Sequence, residues 1–349
     1  MTESMPDPLT AHIAGSDDDV TRQIVRIWKE LLSLDSVGFD QNYFDLGGDS
    51  SVAVQMFTQI EKIFKVKLPL ATLYEAPTIE ELARILRGDS SSSGWSPLVT
   101  IQPEGYRPPI FCFHGAGGNV LNYRDLSKHL GSDQPFYGLQ SQGLDGSCPP
   151  LTKIEDMAGL YIKEIRKVQP HGPYFLAGYC GGGTIAFEAA QQLQSSGEAI
   201  ALLALFDTMD WSQIHLTAWN MSFYRLQKLV FHAAEFLNLN WKGKSQFLRE
   251  KMAVLRNRIP VWRGMLRAKF GNGESGGAKP ESMVLAEIWK MNDRACESYV
   301  PQPYPGVITD FRPAKQYRIF DKPNLKWDRL AQKQQIIVLP VYPASMLIE

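Results

Sequence analysis

The sequence predicts an α+α/β chain, in which a small bundle of helices precedes a larger α/β domain. The beginning of the chain carries helical periodicity, a serine-rich run interrupts it, and from Pro108 onward short apolar runs alternate with longer amphipathic ones. At 349 residues and 44% apolar content, the chain can hold one small and one larger hydrophobic core. We therefore expect a helical domain at 17–89, a linker at 90–97 and an α/β domain at 98–349.

Three segments of the first part predict helices. The first begins at three aspartates, 17–19, whose charges favour the positive end of a helix dipole. A second apolar stripe of helical period follows Ser50, and a later helix opens with Thr78 and Glu81 at capping-box spacing and ends at Gly88. The two apolar stripes are Val20, Ile24, Ile27, Trp28 and Leu31, then Val52, Met56, Ile60 and Phe64.

The segment DLGGDS at 45–50 joins the first two predicted helices. Its glycines permit a sharp turn, Asp49 can cap the first N–H groups of the helix, and Ser50 places a hydroxyl at the exposed entrance. A glycine turn with a serine cap is the structural interpretation of the segment taken alone. A serine modified through coenzyme A chemistry is the functional one.

With its flanks, this part of the chain resembles an acyl or peptidyl carrier domain of polyketide and nonribosomal peptide synthases. The matching segments are IW at 27–28, LL at 31–32, NYFDLGGDS at 42–50, LPL at 68–70, PTI at 77–79 and LA at 82–83. The resemblance covers residues 18–88 and implies a four-helix carrier bundle. It also implies that a phosphopantetheinyl transferase attaches 4′-phosphopantetheine covalently to Ser50. Ser51 departs from the family, where Leu or Ile is more usual.

A cysteine in the second part occupies a nucleophile elbow. The segment YFLAGYCGGG at 174–183 passes from an apolar run through Gly-x-Cys-x-Gly into a predicted helix. Small residues at Gly178 and Gly182 allow the strand and the helix to approach closely. The helix N-terminus is expected to favour the Cys180 thiolate and to offer the Gly181 N–H to an oxyanion. A small buried hydrophobic cysteine is the alternative interpretation.

We expect the loop after His114 to supply the Ala116 N–H as the second oxyanion donor.

Other apolar runs complete the expected α/β pattern. The predicted strands are 109–113, 135–139, 174–177 and 202–206, and the predicted helices are 154–168 and the one after Cys180.

From about Pro97 onward the chain resembles the type I thioesterase domain that closes polyketide and nonribosomal peptide assembly lines, an α/β-hydrolase. The strongest segments are FCFHGAGG at 111–118, VQPHGPY at 168–174 and GYCGGG at 178–183. The resemblance implies that Asp207, at the end of the following strand, is the triad acid. It also implies that residues 211–277 form a helical lid, which would exclude water.

The pattern breaks at the triad histidine, the base that takes and returns the proton. The family places it near the C-terminus, where this chain has Pro343, and no histidine follows His232. Because cysteine depends least on a base, we expect Cys180 to be acylated but to turn over poorly. None of the histidines is an obvious substitute: His12, His114, His129, His171, His215 and His232.

The charges are divided unevenly between the two parts. Residues 1–89 carry 15 Asp and Glu against 8 Lys and Arg, and the remainder carries 22 against 28. The segment 242–269 holds nine basic residues and one acidic one. It is either a solvated helix face or a surface that attracts the acidic carrier domain or its phosphopantetheine. A net charge of −1 and the lack of a nucleic-acid-binding motif argue against nucleic acid.

The cysteines suggest a reducing compartment. Cys112, Cys148, Cys180 and Cys296 have neither metal-ligand nor disulfide-framework spacing, so we expect no metal site. No signal peptide and no apolar run of membrane length occurs in the sequence, and we expect a cytoplasmic protein with no membrane partner.

Two functional hypotheses follow. The leading one is chain release, in which an acyl or peptidyl thioester on Ser50 passes to Cys180 and leaves by hydrolysis or by attack of an internal hydroxyl or amine. The second is a holding or docking module that lacks its base. A stand-alone esterase is weaker, because it gains nothing from a tethered arm. The implied partners are upstream condensation, adenylation or ketosynthase modules.

Overall fold

The computed structural model describes most of both predicted domains. Its described residues are 17–89, 95–211, 281–314, 327–341 and 346–347, with single residues at 222, 226 and 230. The predicted lid beyond Trp211, the basic segment 242–269 and Pro343 lie outside these residues, apart from those single positions.

The first domain consists of helices around a single core. They are α1 (Asp17–Leu32), α2 (Ser50–Phe64), α3 (Thr72–Glu75) and α4 (Ile79–Arg87). The predicted stripes face inward: Ile24, Trp28, Met56 and Ile60 are each at most 1% exposed. This burial confirms the helical period that the sequence predicts for α1 and α2, because residues at that spacing share one face.

The second domain is built on a seven-stranded sheet whose order is β1-β3-β2-β4-β5-β6-β7. All neighbouring pairs run parallel except β1 with β3. The strands are β1 (Leu98–Gln102), β2 (Ile110–Phe113), β3 (Phe136–Leu139), β4 (Tyr174–Tyr179), β5 (Ile200–Phe206), β6 (Tyr304–Pro313) and β7 (Ala331–Leu339).

Helices accompany the sheet. They are α5 (Arg124–Leu130), α6 (Ile154–Val168), α7 (Gly181–Ser195) and α8 (Glu281–Ser298), with 3₁₀ turns at Leu121–Tyr123 and Trp327–Arg329. The predicted strands and α6 occur where the sequence places them, within two residues. Sequence reasoning did not predict β1, β6, β7 or α8.

The parallel strands bring two predicted site residues, Cys180 and Asp207, to one edge of the sheet together with His114. His114 follows β2, Cys180 follows β4 and Asp207 follows β5. Because β2, β4 and β5 are neighbours and run in the same direction, their carboxyl ends lie side by side, which is where α/β sheets bind ligands.

The connector reaches the sheet before β1 begins. The Ser96 carbonyl accepts a hydrogen bond from Gln140 Nε2 at 2.6 Å, and the Pro97 carbonyl accepts one from Gln140 N–H at 2.8 Å. Of the described helices, none has the length and apolar character needed to cross a membrane.

A capping box fixes the start of α4, as the sequence predicts. The Glu81 N–H donates to Thr78 Oγ1 at 3.3 Å, and the Thr78 N–H donates to Glu81 Oε2 at 3.1 Å. Gly88, with φ of 82°, ends the helix in the left-handed region that glycine adopts without strain.

We expect Thr78→Ala to destabilise α4 by about 1 kcal/mol, because the first turn then loses a hydrogen-bond acceptor. Amide hydrogen exchange over 79–87 should accelerate about fivefold, which is the same free energy expressed as a rate ratio. Thr78→Ser keeps the hydroxyl and serves as the control. Equal exchange in Thr78→Ala and the parent protein would contradict the capping role.

Candidate active site

Cys180 occupies a strained turn between β4 and α7. Its φ of 54° and ψ of −122° lie outside the regions that side chains other than glycine usually adopt. The turn is held from both sides. Cys180 N–H donates to the Phe206 carbonyl at 2.9 Å, and the Cys180 carbonyl accepts hydrogen bonds from Gly183 N–H and Thr208 Oγ1, each at 3.1 Å.

The glycines around Cys180 are required by close packing. A Cβ on Gly178 would overlap the carbonyl of Gly182, and a Cβ on Gly182 would overlap the carbonyl of Phe113. A Cβ on Gly183 would overlap the Thr208 side chain. The spacing of small residues in the motif therefore has the steric cause inferred from the sequence.

The two predicted oxyanion donors lie near one another beside Cys180. The Gly181 N–H hydrogen-bonds to the Cys180 thiol. Ala116 N lies 3.8 Å from the position that a Gly181 Cβ would occupy. Their joint role as oxyanion donors stays a prediction.

Burial raises the pKa of the Cys180 thiol to about 12, and the negative charge of Asp207 acts in the same direction. The hydrogen bond from Gly181 lowers this pKa, but by less. The helix N-terminus thus contributes in the expected direction, but desolvation of a charged sulfur outweighs that contribution and leaves the pKa of the thiol raised.

Asp207 stands at the end of β5 with φ of 45°, and its N–H donates to the Phe311 carbonyl at 3.0 Å. Its negative charge raises the pKa of Cys180, and its role as the triad acid stays a prediction. His114 is fully buried, and its two ring nitrogens contact the Gly115 carbonyl at 2.7 Å and the Tyr161 hydroxyl at 2.8 Å. Burial lowers the pKa of His114 to about 4, so this imidazole is neutral and fully engaged.

The other histidines in the described residues lie away from the sheet edge. His129 Nδ1 contacts the Asp125 carbonyl at 2.7 Å, and His171 Nδ1 contacts Glu198 at 3.3 Å. His12, His215 and His232 are outside the described part of the chain. Over the same described ranges, His, Cys, Asp and Glu side chains do not gather in threes as a metal ion would need.

Helix α8 forms a wall of the site that sequence reasoning missed. Asn292 is buried, and its Nδ2 donates to the Ala116 carbonyl at 3.0 Å. The Cys296 sulfur lies 4.0 Å from the Gly181 carbonyl oxygen, and Trp289 lies 3.4 Å from the position of a Gly117 Cβ. No motif in the sequence marks this helix, since its contacts are with residues more than 100 positions earlier.

Ser50 begins α2, and Asp49 caps that helix as predicted. Asp49 Oδ1 accepts a hydrogen bond from Val52 N–H at 2.8 Å, and the Asp49 carbonyl accepts one from the Tyr43 hydroxyl at 3.0 Å. A Cβ on Gly48 would overlap the Tyr43 ring, so only glycine fits there. The Ser50 side chain is half-buried rather than fully exposed.

A cavity of about 190 Å³ lies between the two domains and is lined by Ser50 on one side and Tyr179 on the other. Tyr179 immediately precedes Cys180. Arg124 and Asn122 add polar groups to the lining, and Leu121 adds an apolar one. The carboxylates of Asp49 and Asp125 also line it, so the cavity presents one cation, two acidic groups and apolar surface beside Ser50.

Contacts between the domains surround this cavity. Arg124 Nη2 lies 2.7 Å from Asp45 Oδ1, and the Arg124 guanidinium stands 4.8 Å from the centre of the Phe44 ring. Lys128 Nζ lies 3.6 Å from the same Asp45 oxygen, and the Tyr74 hydroxyl donates to the Val120 carbonyl at 3.0 Å. The Arg124 hydrogen bond is the main reason that the pKa of Asp45 is lowered.

Both domains match known families. Residues 22–86 match the phosphopantetheine attachment site, and residues 108–239 match the thioesterase domain. Together with the parallel sheet and the turn at Cys180, the second match indicates an α/β-hydrolase-like fold. The first match means that the chain contains an attachment domain for covalent 4′-phosphopantetheine.

Several synthetases contain a similar region. Malpinin synthetase of Mortierella alpina is 42% identical over 212 residues, which are 59% of this chain and 3% of that protein. A dimodular nonribosomal peptide synthase of Bacillus subtilis is 43% identical over 182 residues, 52% of this chain and 8% of that protein. This chain thus spans a small fraction of these relatives.

A solved structure resembles the whole chain. It is a four-domain nonribosomal peptide synthetase bound to AMP and glycine, with a TM-score of 0.57 and 26% identity. The similarity covers 100% of this chain and 26% of the solved one. The similarity therefore extends over both matched domains of this chain and shows that a nonribosomal peptide synthetase contains a region of similar fold.

We expect Asp207→Asn to lower the pKa of the Cys180 thiol, because the substitution removes a negative charge that disfavours the thiolate. Alkylation of Cys180 by iodoacetamide at fixed pH should accelerate about tenfold for each unit by which the pKa falls. Peptide mapping separates Cys180 from the other thiols, and Asp125→Asn is the control for a remote charge. An unchanged alkylation rate would mean that Asp207 does not act on the thiol.

Arg124→Ala should loosen the contact between the domains by about 0.5–1 kcal/mol, because the cation that pairs with Asp45 and covers Phe44 is lost. Hydrogen exchange over 43–50 and 121–130 should accelerate about two- to fivefold, and more weakly at high salt. Lys128→Ala is the matched control, since its longer and more exposed pair contributes less. Equal effects of the two substitutions would rule out a special role for Arg124.

Proposed function

We propose that this chain, which carries a phosphopantetheine attachment domain followed by a thioesterase domain, releases a finished acyl or peptidyl chain in nonribosomal peptide biosynthesis. The observation that supports the proposal most is the cavity lined by both Ser50 and Tyr179, the neighbour of Cys180. The cavity extends from the predicted attachment serine to the residue that precedes the predicted nucleophile. Arg124 and Lys128 of the second domain both pair with Asp45 of the first domain, and these ion pairs favour contact between the two domains.

Ser50 supplies the hydroxyl to which 4′-phosphopantetheine is attached. When bound, this group supplies a thiol that holds the acyl chain as a thioester. The residues suited to hold it are Arg124, whose guanidinium can pair with a phosphate, and Asn122, whose amide can hydrogen-bond to an amide of the arm. The Asp49 side chain caps α2, so the Ser50 hydroxyl is not needed as the cap.

Cys180 acts as the nucleophile in this proposal. Its thiol loses a proton, and the sulfur attacks the carbonyl carbon of the acyl thioester. The N–H groups of Gly181 and Ala116 stabilise the oxyanion that forms. The original C–S bond then breaks and the acyl chain is left on Cys180. Since the raised pKa of Cys180 keeps the thiol protonated at neutral pH, acylation also needs a proton acceptor.

The acyl group leaves Cys180 when water, or a hydroxyl or amine of the acyl chain itself, attacks its carbonyl. The acyl-cysteine keeps the activation of a thioester, and this favours a well-placed internal nucleophile and hence a lactone or lactam. In both cases the attacking group loses a proton and the Cys180 sulfur regains one. The atoms and protons of the release step therefore balance without a further reactant.

A holding module is the second candidate function. The sequence has no histidine after His232, and burial keeps the Cys180 thiol protonated. A domain in this state would shelter an acyl chain on the carrier without releasing it. The sequence predicts that Cys180 is acylated but releases its acyl group slowly. Such a protein would combine features of both functions, and this expectation stays a prediction.

Time-resolved intact-mass spectrometry on the full chain separates these functions. A phosphopantetheinyl transferase loads Ser50 with a hexanoyl arm from hexanoyl-coenzyme A, and the hexanoyl mass is followed by peptide mapping. We expect the label to move to Cys180 and then to leave, and to remain on Ser50 in Cys180→Ala. Ser50→Ala, which cannot be loaded, controls for labelling at other sites.

The competing outcome is equally definite. If the hexanoyl group stays on Ser50 in the parent protein and in Cys180→Ala alike, chain release by Cys180 is refuted and the holding function stands. A second measurement with a peptidyl arm that ends in a primary amine distinguishes hydrolysis from cyclisation, because the two products differ by the mass of one water.

A further inference from the structure

Helix α8 carries one carboxylate, Asp293, between two residues that contact the loops of the active site. Trp289 contacts the Gly117 region and Cys296 contacts the Gly181 carbonyl, so these two side chains lie on the face of α8 that covers the site. Asp293 is four residues after Trp289 and three before Cys296. On a helix this spacing puts its side chain on the same face, between the two.

The electrostatics agree with this position on α8. Burial is the main reason that the pKa values of Cys180 and Cys296 are raised, and the negative charge of Asp293 contributes to both shifts. The Trp289 side chain lowers the pKa of Asp293, as expected for a neighbour on the same helix face. Asp293 keeps contact with solvent, so water can reach it.

We propose that Asp293 is the proton acceptor of the release reaction, in the role for which the chain lacks a C-terminal histidine. The inference rests on the proposed function of Cys180. Asn292, the preceding residue, holds the Ala116 carbonyl, so one turn of α8 both positions an oxyanion donor and brings the carboxylate to the sulfur.

The proton transfers balance in both half-reactions. In acylation, the Asp293 carboxylate takes the Cys180 proton as sulfur attacks the substrate carbonyl, and the carboxylic acid returns it to the departing thiolate. In release, Asp293 takes a proton from the attacking water, hydroxyl or amine as the new bond to carbon forms. The C–S bond breaks, and the acid protonates the Cys180 sulfur.

The environment of Asp293 suits a base that works near neutral pH. Partial burial and the charge of Glu297 raise its pKa to about 6, although the Trp289 hydrogen bond lowers it. The titratable groups that interact with it are Cys180 at the end of β4, and Cys296 and Glu297 on α8 itself. The base must be ionised to act, so the release rate should rise with pH through about 6 and then level off.

The test uses the full chain and hexanoyl-N-acetylcysteamine, a small thioester that does not need Ser50. We expect Asp293→Asn to lower the rate of hexanoate release about 100-fold, the usual contribution of a general base, and to remove the rise near pH 6. Glu297→Gln is the matched control one turn along α8. It should retain release and shift the rise to lower pH, because a neighbouring negative charge is gone.

A second readout separates a base from a structural residue. Asp293→Asn also removes a charge that disfavours the Cys180 thiolate, so alkylation of Cys180 by iodoacetamide should become faster while release becomes slower. A merely structural defect would not produce these opposite changes.

Each result decides the matter. Release by Asp293→Asn at the parental rate, with Cys180 still acylated, overturns the proposal and leaves chain release by Cys180 intact. If Cys180 of the parent protein is never acylated, both the proposed function and the proposed role of Asp293 are refuted. Slower alkylation together with slower release would assign Asp293 a structural role and also overturn the proposal.

Discussion

The turn at Cys180 is the constraint on which the rest of the active site depends. With a positive φ, the residue projects its sulfur away from the end of β4. The strained turn persists because two backbone hydrogen bonds, one hydrogen bond from the Thr208 hydroxyl and close glycine contacts hold it. Any Cβ at Gly178 or Gly182 would push α7 away from the sheet. The position of the α7 N-terminus, and with it the Gly181 N–H, follows from the same contacts.

The same burial that holds this geometry makes the chemistry harder. A thiol withdrawn from water resists ionisation, and the nearby charges of Asp207 and Asp293 add to that resistance. A cysteine in this environment differs from one activated by a helix end alone, because it needs a neighbouring group to take its proton. Asp293, one of the two carboxylates that raise the thiol pKa, is also the proton acceptor that we propose, so one charge would have both effects.

The contact between the domains links the carrier to this chemistry. Arg124 and Lys128 lie on the helix that follows the 3₁₀ turn at Leu121–Tyr123, and both face Asp45, five residues before Ser50. The pairing therefore acts on the loop that leads directly into the attachment serine. The predicted basic segment at 242–269 lies outside the described residues, and in the described part the acidic carrier domain meets Arg124 and Lys128 instead.

The sequence by itself determined those features that depend on consecutive residues. The Ser50 turn, the Thr78 capping box, the elbow glycines and the strand ends at Cys180 and Asp207 are local conformations, so their motifs could be recognised. Only the tertiary structure decided the direction of the Cys180 pKa, the pairing of Arg124 with Asp45 and the position of α8. These depend on contacts between distant residues, such as Asn292 and Ala116, 176 positions apart, and on desolvation, which no linear spacing encodes.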